Sequence, residues 1–166
     1  MNVEFSSKAF EIGEDSIKLQ LWDTAGQEKY KGVTKSYYRK SFGVLIVFDI
    51  TRSESFLHVT EWLKSAKECV DKNATIVLVG NKSDLKDERV ISFTEAARFC
   101  QENGLQYYEC SAFNGEGVEE IFLSASKSIL RKVNEGIIEI ENKPYKSIVI
   151  SSEDPRPNES QRCNYC

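Results

Sequence analysis

Apolar residues follow two distinct patterns along this chain. Near the N-terminus they occupy alternate positions within 10–12 and 17–21, and a turn-forming segment, 13–16, separates the two runs. Such alternation predicts an antiparallel hairpin that buries one face. Further along, 43–49 and 75–80 are short apolar runs rich in β-branched side chains. Runs of this kind are typical of strands buried on both faces of a parallel sheet.

Three helices are predicted between and after these strands. Apolar residues recur at helical spacing after 51–54 and 92–95, each of which has the Ser/Thr-x-x-Glu pattern of a capping box, and again after Gly117. A third strand, 105–110, precedes the last helix. Strand and helix thus alternate three times, which predicts an α/β fold with an open, mostly parallel sheet.

The composition favours a globular protein and excludes several classes. The chain has 166 residues, 40% of them hydrophobic, and a net charge of −4, so electrostatics give no support for nucleic acid as a partner. No apolar run approaches the ~20 residues of a membrane span. Five cysteines are widely scattered and form no disulfide framework, which favours a reducing, intracellular compartment.

Polar side chains follow three of the predicted strands. They lie at 23–27 (Asp-Thr-Ala-Gly-Gln), at 81–84 (Asn-Lys-Ser-Asp) and at 111–112 (Ser-Ala). In an open parallel sheet, ligands bind outside the carboxyl ends of the strands. An aspartate accepts two adjacent N–H donors, and an asparagine offers both a donor and an acceptor. These segments therefore have the chemistry to recognise a purine and its phosphates.

The motifs WDTAGQE at 22–28, NKSD at 81–84 and CSA at 110–112 resemble those of Ras-like small GTPases in order and spacing. Four further segments resemble the Rab branch of that family: 18–22, 29–34, 37–41 and 43–51. The resemblance covers roughly residues 2–133. It implies a Ras-like G domain, a three-layer α/β sandwich, over 1–133, followed by a hypervariable tail over 134–166.

The resemblance implies that GTP or GDP binds with its base at the second and third polar segments. Asp84 would pair with the guanine N1 and N2 hydrogens, and Asn81 would meet the opposite edge. Lys82 would cover the ring. The backbone N–H of Ala112 would contact O6, and Ser111 would be a further GTP-binding residue.

The resemblance also assigns phosphate roles to the first polar segment. Asp23 would hold Mg²⁺ through a water, and the Gly26 N–H would contact the γ-phosphate. Gln27 would be the catalytic residue that orients the attacking water.

Part of the family pattern is absent from this sequence. It contains no G-x-x-x-x-G-K-[ST] phosphate loop and no switch threonine, so we expect the chain alone not to hydrolyse GTP. The first strand of the family fold, which lies between the strands of Leu19 and Leu45, is missing as well. The two strands would then flank an empty position in the sheet. Three outcomes are possible: the two strands close up, the chain is unstable, or the sequence is a fragment.

The tail carries two cysteines near the terminus, Cys163 and Cys166. As a C-x-x-C pair they have redox or metal-binding chemistry, but the resemblance favours geranylgeranylation of one or both. The triplet 148–150 is either an element that prenylation proteins hold or a stray apolar stretch. We expect 151–162, which has two prolines and no large apolar side chain, to be disordered.

Three aromatic residues match an effector-facing patch of the Rab family: Phe5, Trp22 and Tyr37. Burial in the core is the competing interpretation, above all for Phe5. The resemblance implies a GTP/GDP switch in vesicle-mediated traffic on the cytosolic face of intracellular membranes and in the cytosol. Its partners would be effectors, exchange and GTPase-activating proteins, and prenylation escort and dissociation-inhibitor proteins. The alternative is a non-hydrolysing interaction module that keeps the effector and prenylation surfaces.

Overall fold

The computed structural model describes residues 3–25, 41–139 and 146–154, and describes the side chains of 6–23 and 41–139. Six strands form one sheet in the order β1-β2-β6-β3-β4-β5. The strands are β1 (Val3–Ile12), β2 (Asp15–Ala25), β3 (Gly43–Asp49), β4 (Thr75–Asn81), β5 (Gln106–Glu109) and β6 (Lys146–Asp154). The helices are α1 (Ser53–Cys69), α2 (Phe93–Asn103) and α3 (Val118–Asn134), with a short 3₁₀ turn at Lys86–Glu88.

Strands β1 and β2 form the predicted antiparallel hairpin. Their register runs from Val3 opposite Thr24 to Ile12 opposite Asp15. The turn between them contains Gly13 with a φ of 64°, a conformation that glycine adopts without steric cost. The alternation seen in the sequence therefore places one face of β2 inside the protein.

Strands β3, β4 and β5 pair in parallel, which confirms the predicted α/β fold. Alternate residues of β3 enter two separate apolar cores, one on each face of the sheet. Leu45 packs with α3 on one face, whereas Val44 and Ile46 pack with α1 and α2 on the other. The continuous apolar pattern of β3 and β4 thus reflects burial from both sides.

One of the two predicted capping boxes is confirmed and the other is wrong. The Ser92 hydroxyl accepts a hydrogen bond from the Glu95 N–H at 3.1 Å at the start of α2. Before α1, however, the N-cap is Arg52, which makes no side-chain cap. The Thr51 hydroxyl donates instead to Asp49 Oδ1 at 2.6 Å. Because the N-cap is Arg52, Thr51 lies one residue before the position from which a side chain caps a helix.

The central position between β2 and β3, called here the central slot, is filled by β6. Lys146 to Asp154 pair in parallel with Ile17 to Ala25 of β2, and 150–153 also pair with 43–46 of β3. The truncated Ras-like architecture is confirmed, but the expectation of an empty central position is wrong. So is the expectation of disorder for 151–154, whereas 155–166 lie outside the described residues.

The physical reason for this difference is the hydrogen-bonding capacity of the two flanking strands. Without a neighbour, β2 and β3 would each present a row of unpaired N–H and C=O groups in the middle of the sheet. Strand β6 pairs with nine residues of β2 and with four of β3, so it satisfies much of both rows. None of the described helices has the length and apolar content needed to cross a bilayer.

The three cysteines of the described residues lie where core packing was predicted. Cys100 and Cys110 are buried, and Cys69 is half-buried. Burial raises the pKa of the Cys100 and Cys110 thiols to about 11. Both therefore stay protonated at neutral pH and act as small apolar side chains.

Candidate functional site

The end of β4 carries the most unusual backbone of the described residues. Lys82, directly after the strand, has a φ of 69° and is the one non-glycine residue of the described chain with a positive φ. Such a conformation costs free energy and is found most often at ligand sites. The side chain of Asn81 stabilises it, because its Oδ1 accepts the Lys82 N–H at 2.8 Å.

Asn81 also connects the two segments that were predicted to meet the base. Its Oδ1 accepts a second hydrogen bond, from the Ala112 N–H at 3.0 Å, and the Ser83 N–H donates to the Cys110 carbonyl at 3.0 Å. Residues 81–84 and 110–112, called here the base loops, are therefore held side by side. Because the Ala112 N–H is engaged with Asn81, a purine O6 at this position would share it as a bifurcated bond.

Asp84 carries an unsatisfied polar atom within the base loops. Its Oδ1 is buried and has no hydrogen-bond partner. A carboxylate oxygen withdrawn from water without a donor is costly, so the site is complementary to a ligand that brings N–H groups. The adjacent N1–H and N2–H of guanine are such a pair. The base loops thus fit a guanine ring.

Ser111 shapes the second base loop from inside the protein. It is fully buried, its hydroxyl accepts the Asn114 N–H at 3.3 Å, and its N–H donates to the Glu116 carbonyl at 2.9 Å. Gly117 closes the loop so tightly that a Cβ there would lie 2.6 Å from the Glu109 carbonyl oxygen. Ser111 therefore positions Ala112, and its side chain is directed away from solvent.

Asp49, at the end of β3, belongs to the site although sequence reasoning did not assign it. Its Oδ2 lies 2.6 Å from the Lys82 ammonium, and its Oδ1 accepts the Thr51 N–H at 2.8 Å. Burial alone would raise the pKa of the Asp49 carboxyl, but the hydrogen bonds from Lys82 and Thr51 hold it below its ordinary value. The sequence feature that could have identified Asp49 is its position at the end of an apolar strand.

A second hydrogen-bond network lies next to the base loops, at the end of β5. Arg89 Nη1 and Nη2 donate to the two carboxylate oxygens of Glu109 at 2.8 and 2.7 Å, and the Tyr107 hydroxyl donates to Glu109 Oε1 at 2.7 Å. Burial alone would raise the pKa of Glu109, but these donors hold it below its ordinary value of 4.5. Since Glu109 directly precedes Cys110, the bidentate pair anchors the start of the second base loop.

This network predicts an acid-sensitive contribution to stability. Because the folded-state pKa of Glu109 is lowered, its contribution is present above pH 4.5 and is lost as the pH falls further. Glu109→Gln is expected to reduce the free energy of unfolding by roughly 1–3 kcal/mol at pH 7. Urea unfolding should show the difference from the parent protein shrinking as the pH is lowered below that value.

Glu119→Gln is the matched control, since Glu119 pairs with Lys8 at 3.4 Å but both side chains are largely exposed. Exposed pairs contribute little to stability, so this variant should unfold like the parent at every pH. Two results would contradict the stabilising role of the ionised Glu109. One is an equal loss of unfolding free energy in both variants, and the other is a loss in Glu109→Gln that does not change with pH.

The described residues do not assemble the phosphate half of the site. Asp23 lies on β2 near its carboxyl end, and Gly26 and Gln27 lie outside the described residues. Within the described part of the chain, no three His, Cys, Asp or Glu side chains cluster as a metal site would require. The phosphate and Mg²⁺ roles of Asp23, Gly26 and Gln27 therefore stay predictions.

The remaining predicted residues are only partly described. The backbone places Phe5 directly opposite Trp22 in the β1–β2 pair, so the two residues share one face of the hairpin. The Trp22 side chain is half-buried. Tyr37, Cys163 and Cys166 lie outside the described residues. The effector patch and the lipidation sites therefore stay predictions.

Comparison with known proteins agrees with this geometry. The model of the Ras family matches residues 1–131. The chain is 44% identical to the Ras-related protein Rab-4 of Dictyostelium discoideum over 168 residues, which covers 99% of this chain and 80% of that protein. It is 45% identical to human Rab-4B and 46% identical to rat Rab-4A, each over 141 residues and 85% of this chain. The chain spans 66% of the length of the former and 65% of the latter. It belongs to the Rab family of Ras-like small GTPases.

Proposed function

We propose that this chain is a Rab protein of vesicle-mediated membrane traffic that recognises the guanine base of GTP and GDP. The observation that carries the proposal is Asp84, whose buried Oδ1 lacks a hydrogen-bond donor. Guanine is the common purine that presents two adjacent N–H groups to such a carboxylate. Membership of the Rab family makes GTP and GDP the ligands to test.

Each residue of the base loops has a distinct task in this proposal. Asp84 accepts the N1 and N2 hydrogens of guanine, and Asn81 holds the two loops together through its Oδ1. The aliphatic stem of Lys82 lies along the ring while its ammonium is held by Asp49. Each hydrogen bond to the ionised Asp84 contributes roughly 1.5–3 kcal/mol.

Attachment to membranes is the second part of the proposal. Cys163 and Cys166 would carry geranylgeranyl groups, and two such chains anchor a protein more firmly than one. The chain would then act on the cytosolic face of intracellular membranes and be escorted through the cytosol. Effectors, exchange factors, GTPase-activating proteins, prenylation escort proteins and dissociation inhibitors are its expected partners, and Phe5, Trp22 and Tyr37 its expected effector contacts.

A second candidate function is a non-hydrolysing interaction module. The observation that favours it is the segment at the phosphate side of the sheet. There β6 ends in Glu153 and Asp154, beside Thr24 and Ala25 of β2, instead of leading into a glycine-rich phosphate loop. Such a module would keep the effector and prenylation surfaces and compete for partners without cycling nucleotide.

Titration of the ¹⁵N-labelled protein with GDP and with ADP tests the proposal. We expect GDP to shift the backbone amide signals of Lys82 and Ala112, which border the base loops, and ADP at the same concentration to leave them unchanged. The amides of β1, at the opposite edge of the sheet from β5, serve as an internal control. Equal shifts with both nucleotides would refute guanine recognition, and shifts with neither would favour the interaction module.

A further inference from the structure

Strand β6 pairs with more residues of β2 than of β3, the two strands that flank the central slot. Nine of its residues pair with β2 but only four pair with β3. The apolar triplet of the segment, 148–150, stands beside Leu19, Gln20 and Leu21 of β2. The part that pairs with β3 is polar apart from its first residue.

The polar part of β6 lies beside some of the most deeply buried residues of the protein. Ser151, Ser152 and Glu153 are the register partners of Val44, Leu45 and Ile46, which are at most 3% exposed. A strand in the middle of a parallel sheet is normally apolar throughout, because both of its faces are covered. The backbone of β6 therefore pairs within the central slot, whereas its polar residues are not those of a strand that is buried on both faces.

We propose that β6 is a displaceable plug, by which the chain reversibly inserts its own C-terminal segment into the central slot. In the inserted state β2 and β3 are both paired. In the released state 146–154 leave the sheet and extend the tail, while β3, β4 and β5 stay paired with one another and keep the core that they form with α1 and α2. Segments that open at low cost are those with little apolar surface to bury, and only three of the nine residues of β6, 148–150, are apolar.

The connection from α3 supports insertion of the segment into the same molecule. Ile138, four residues after the end of α3, is 5% exposed and packs in the same core as Ile17 and Leu19 of β2. Lys146, the first residue of β6, pairs with Ile17. The intervening residues need only bridge the distance across this core, and seven extended residues span up to ~25 Å. A second copy is not required to fill the slot.

Insertion would control how far the terminal cysteines reach. In the inserted state Cys163 follows the last paired residue, Asp154, by nine positions, so it reaches at most about 30 Å from the sheet. In the released state it follows Glu139 by 24 positions, which extends to about 80 Å. The plug therefore switches the tail between a short and a long tether, whether or not nucleotide is bound.

Limited trypsin digestion of the full chain tests insertion directly. Lys143 and Arg156 each precede a proline and are poor sites, so Lys146 and Arg162 are the informative sites of the tail. We expect cleavage after Lys146 to be at least ~10-fold slower than after Arg162, because cleavage follows the population of the open form. Equal rates at the two sites would overturn the proposal.

A proline substitution tests whether the plug leaves without unfolding the rest. Ser152 pairs with both Asp23 and Leu45, and proline removes a donor that a central strand needs. Ser152→Pro should raise the Lys146 cleavage rate to that of Arg162, whereas Ser160→Pro, outside the strand, should not. Hydrogen exchange should show loss of protection in β2 and in 43–46 of β3, with β4 and β5 still protected.

Two outcomes of these experiments would contradict a displaceable, intramolecular plug. If Ser152→Pro removes protection from β4 and β5 as completely as from β2, the strand is an obligate part of the core. If Lys146 is protected only in a dimer, as measured by light scattering over a concentration series, the segment comes from a second copy. A monomer with a protected Lys146 and an intact β4–β5 pair in the variant supports the proposal.

Discussion

Replacing Asp84 by asparagine is expected to change the preferred base of this protein from guanine to xanthine. The carboxylate accepts two N–H groups, whereas an asparagine amide offers one donor and one acceptor. Xanthine presents an N–H and a carbonyl at the same two positions, so it matches the amide. Loss of one charge-assisted bond and creation of a donor–donor clash should shift the ratio of GDP to xanthosine diphosphate affinity by roughly 100-fold or more.

Alanine at the same position is the matched control. Asp84→Ala removes both acceptors and supplies nothing in return, so GDP binding should fall without any gain for xanthosine diphosphate. Both variants should keep the melting temperature of the parent or exceed it, because the Asp84 Oδ1 has no internal hydrogen bond to lose. If Asp84→Asn still binds GDP as the parent does, the carboxylate does not meet the base.

The 166-residue chain is expected to hydrolyse GTP no faster than buffer does. Phosphoryl transfer is accelerated by groups that position the γ-phosphate and neutralise its charge. The sequence contains no phosphate loop to supply such groups. Gln27, even if correctly placed, would have no bound phosphate on which to direct a water.

Single-turnover assays with radiolabelled GTP at high protein concentration measure this directly. Gln27→Leu, which removes the water-orienting amide, should leave the already negligible rate unchanged. A rate in the parent well above buffer that Gln27→Leu abolishes would show that the chain completes its own phosphate site.

The strands and helices that could be predicted are those whose pattern is set locally. The apolar runs of β3 and β4 and the helical spacing in α1, α2 and α3 reflect which faces are buried, and the structure agrees. The capping box at Thr51 is wrong because the helix begins one residue later, with Arg52 at the N-cap. The exact end of a helix is the part that a sequence pattern determines least well.

Strand β6 was missed for a different reason. Its apolar triplet is too short and its following residues too polar to indicate a central strand. Its formation depends on the unpaired edges of β2 and β3, which lie more than a hundred residues earlier in the chain. Unpaired strand edges are a property of the assembled sheet. The sequence of the segment that pairs with them does not indicate that they exist.

In the base loops, too, the features set by contiguous residues were predicted and the contacts between distant residues were not. Residues 81–84 and 110–112 were predicted because their motifs are contiguous in sequence. The bidentate pair of Arg89 and Glu109, separated by 20 positions, was not, because nothing in the sequence identifies which arginine meets which glutamate. Motifs thus indicate where a ligand binds, and only the structure shows what supports the loops that bind it.

The fold also separates the base half of the site from the phosphate half. The base loops follow β4 and β5, while the phosphate side lies at the ends of β2 and β6, with β3 between them. The proposed release of the plug would therefore leave the β4–β5 pair intact. Guanine recognition, as proposed, would then not depend on which segment fills the central slot.

The central claim is that this chain recognises the guanine base without holding the phosphates. Calorimetric titration with guanosine and with GDP, each with Mg²⁺ and with a chelator, tests it most directly. We predict weak binding of both ligands, with affinities that agree within about tenfold, a difference of 1.4 kcal/mol, and that do not depend on Mg²⁺. Tight, stoichiometric binding of GDP that is lost on removal of Mg²⁺ would contradict the account.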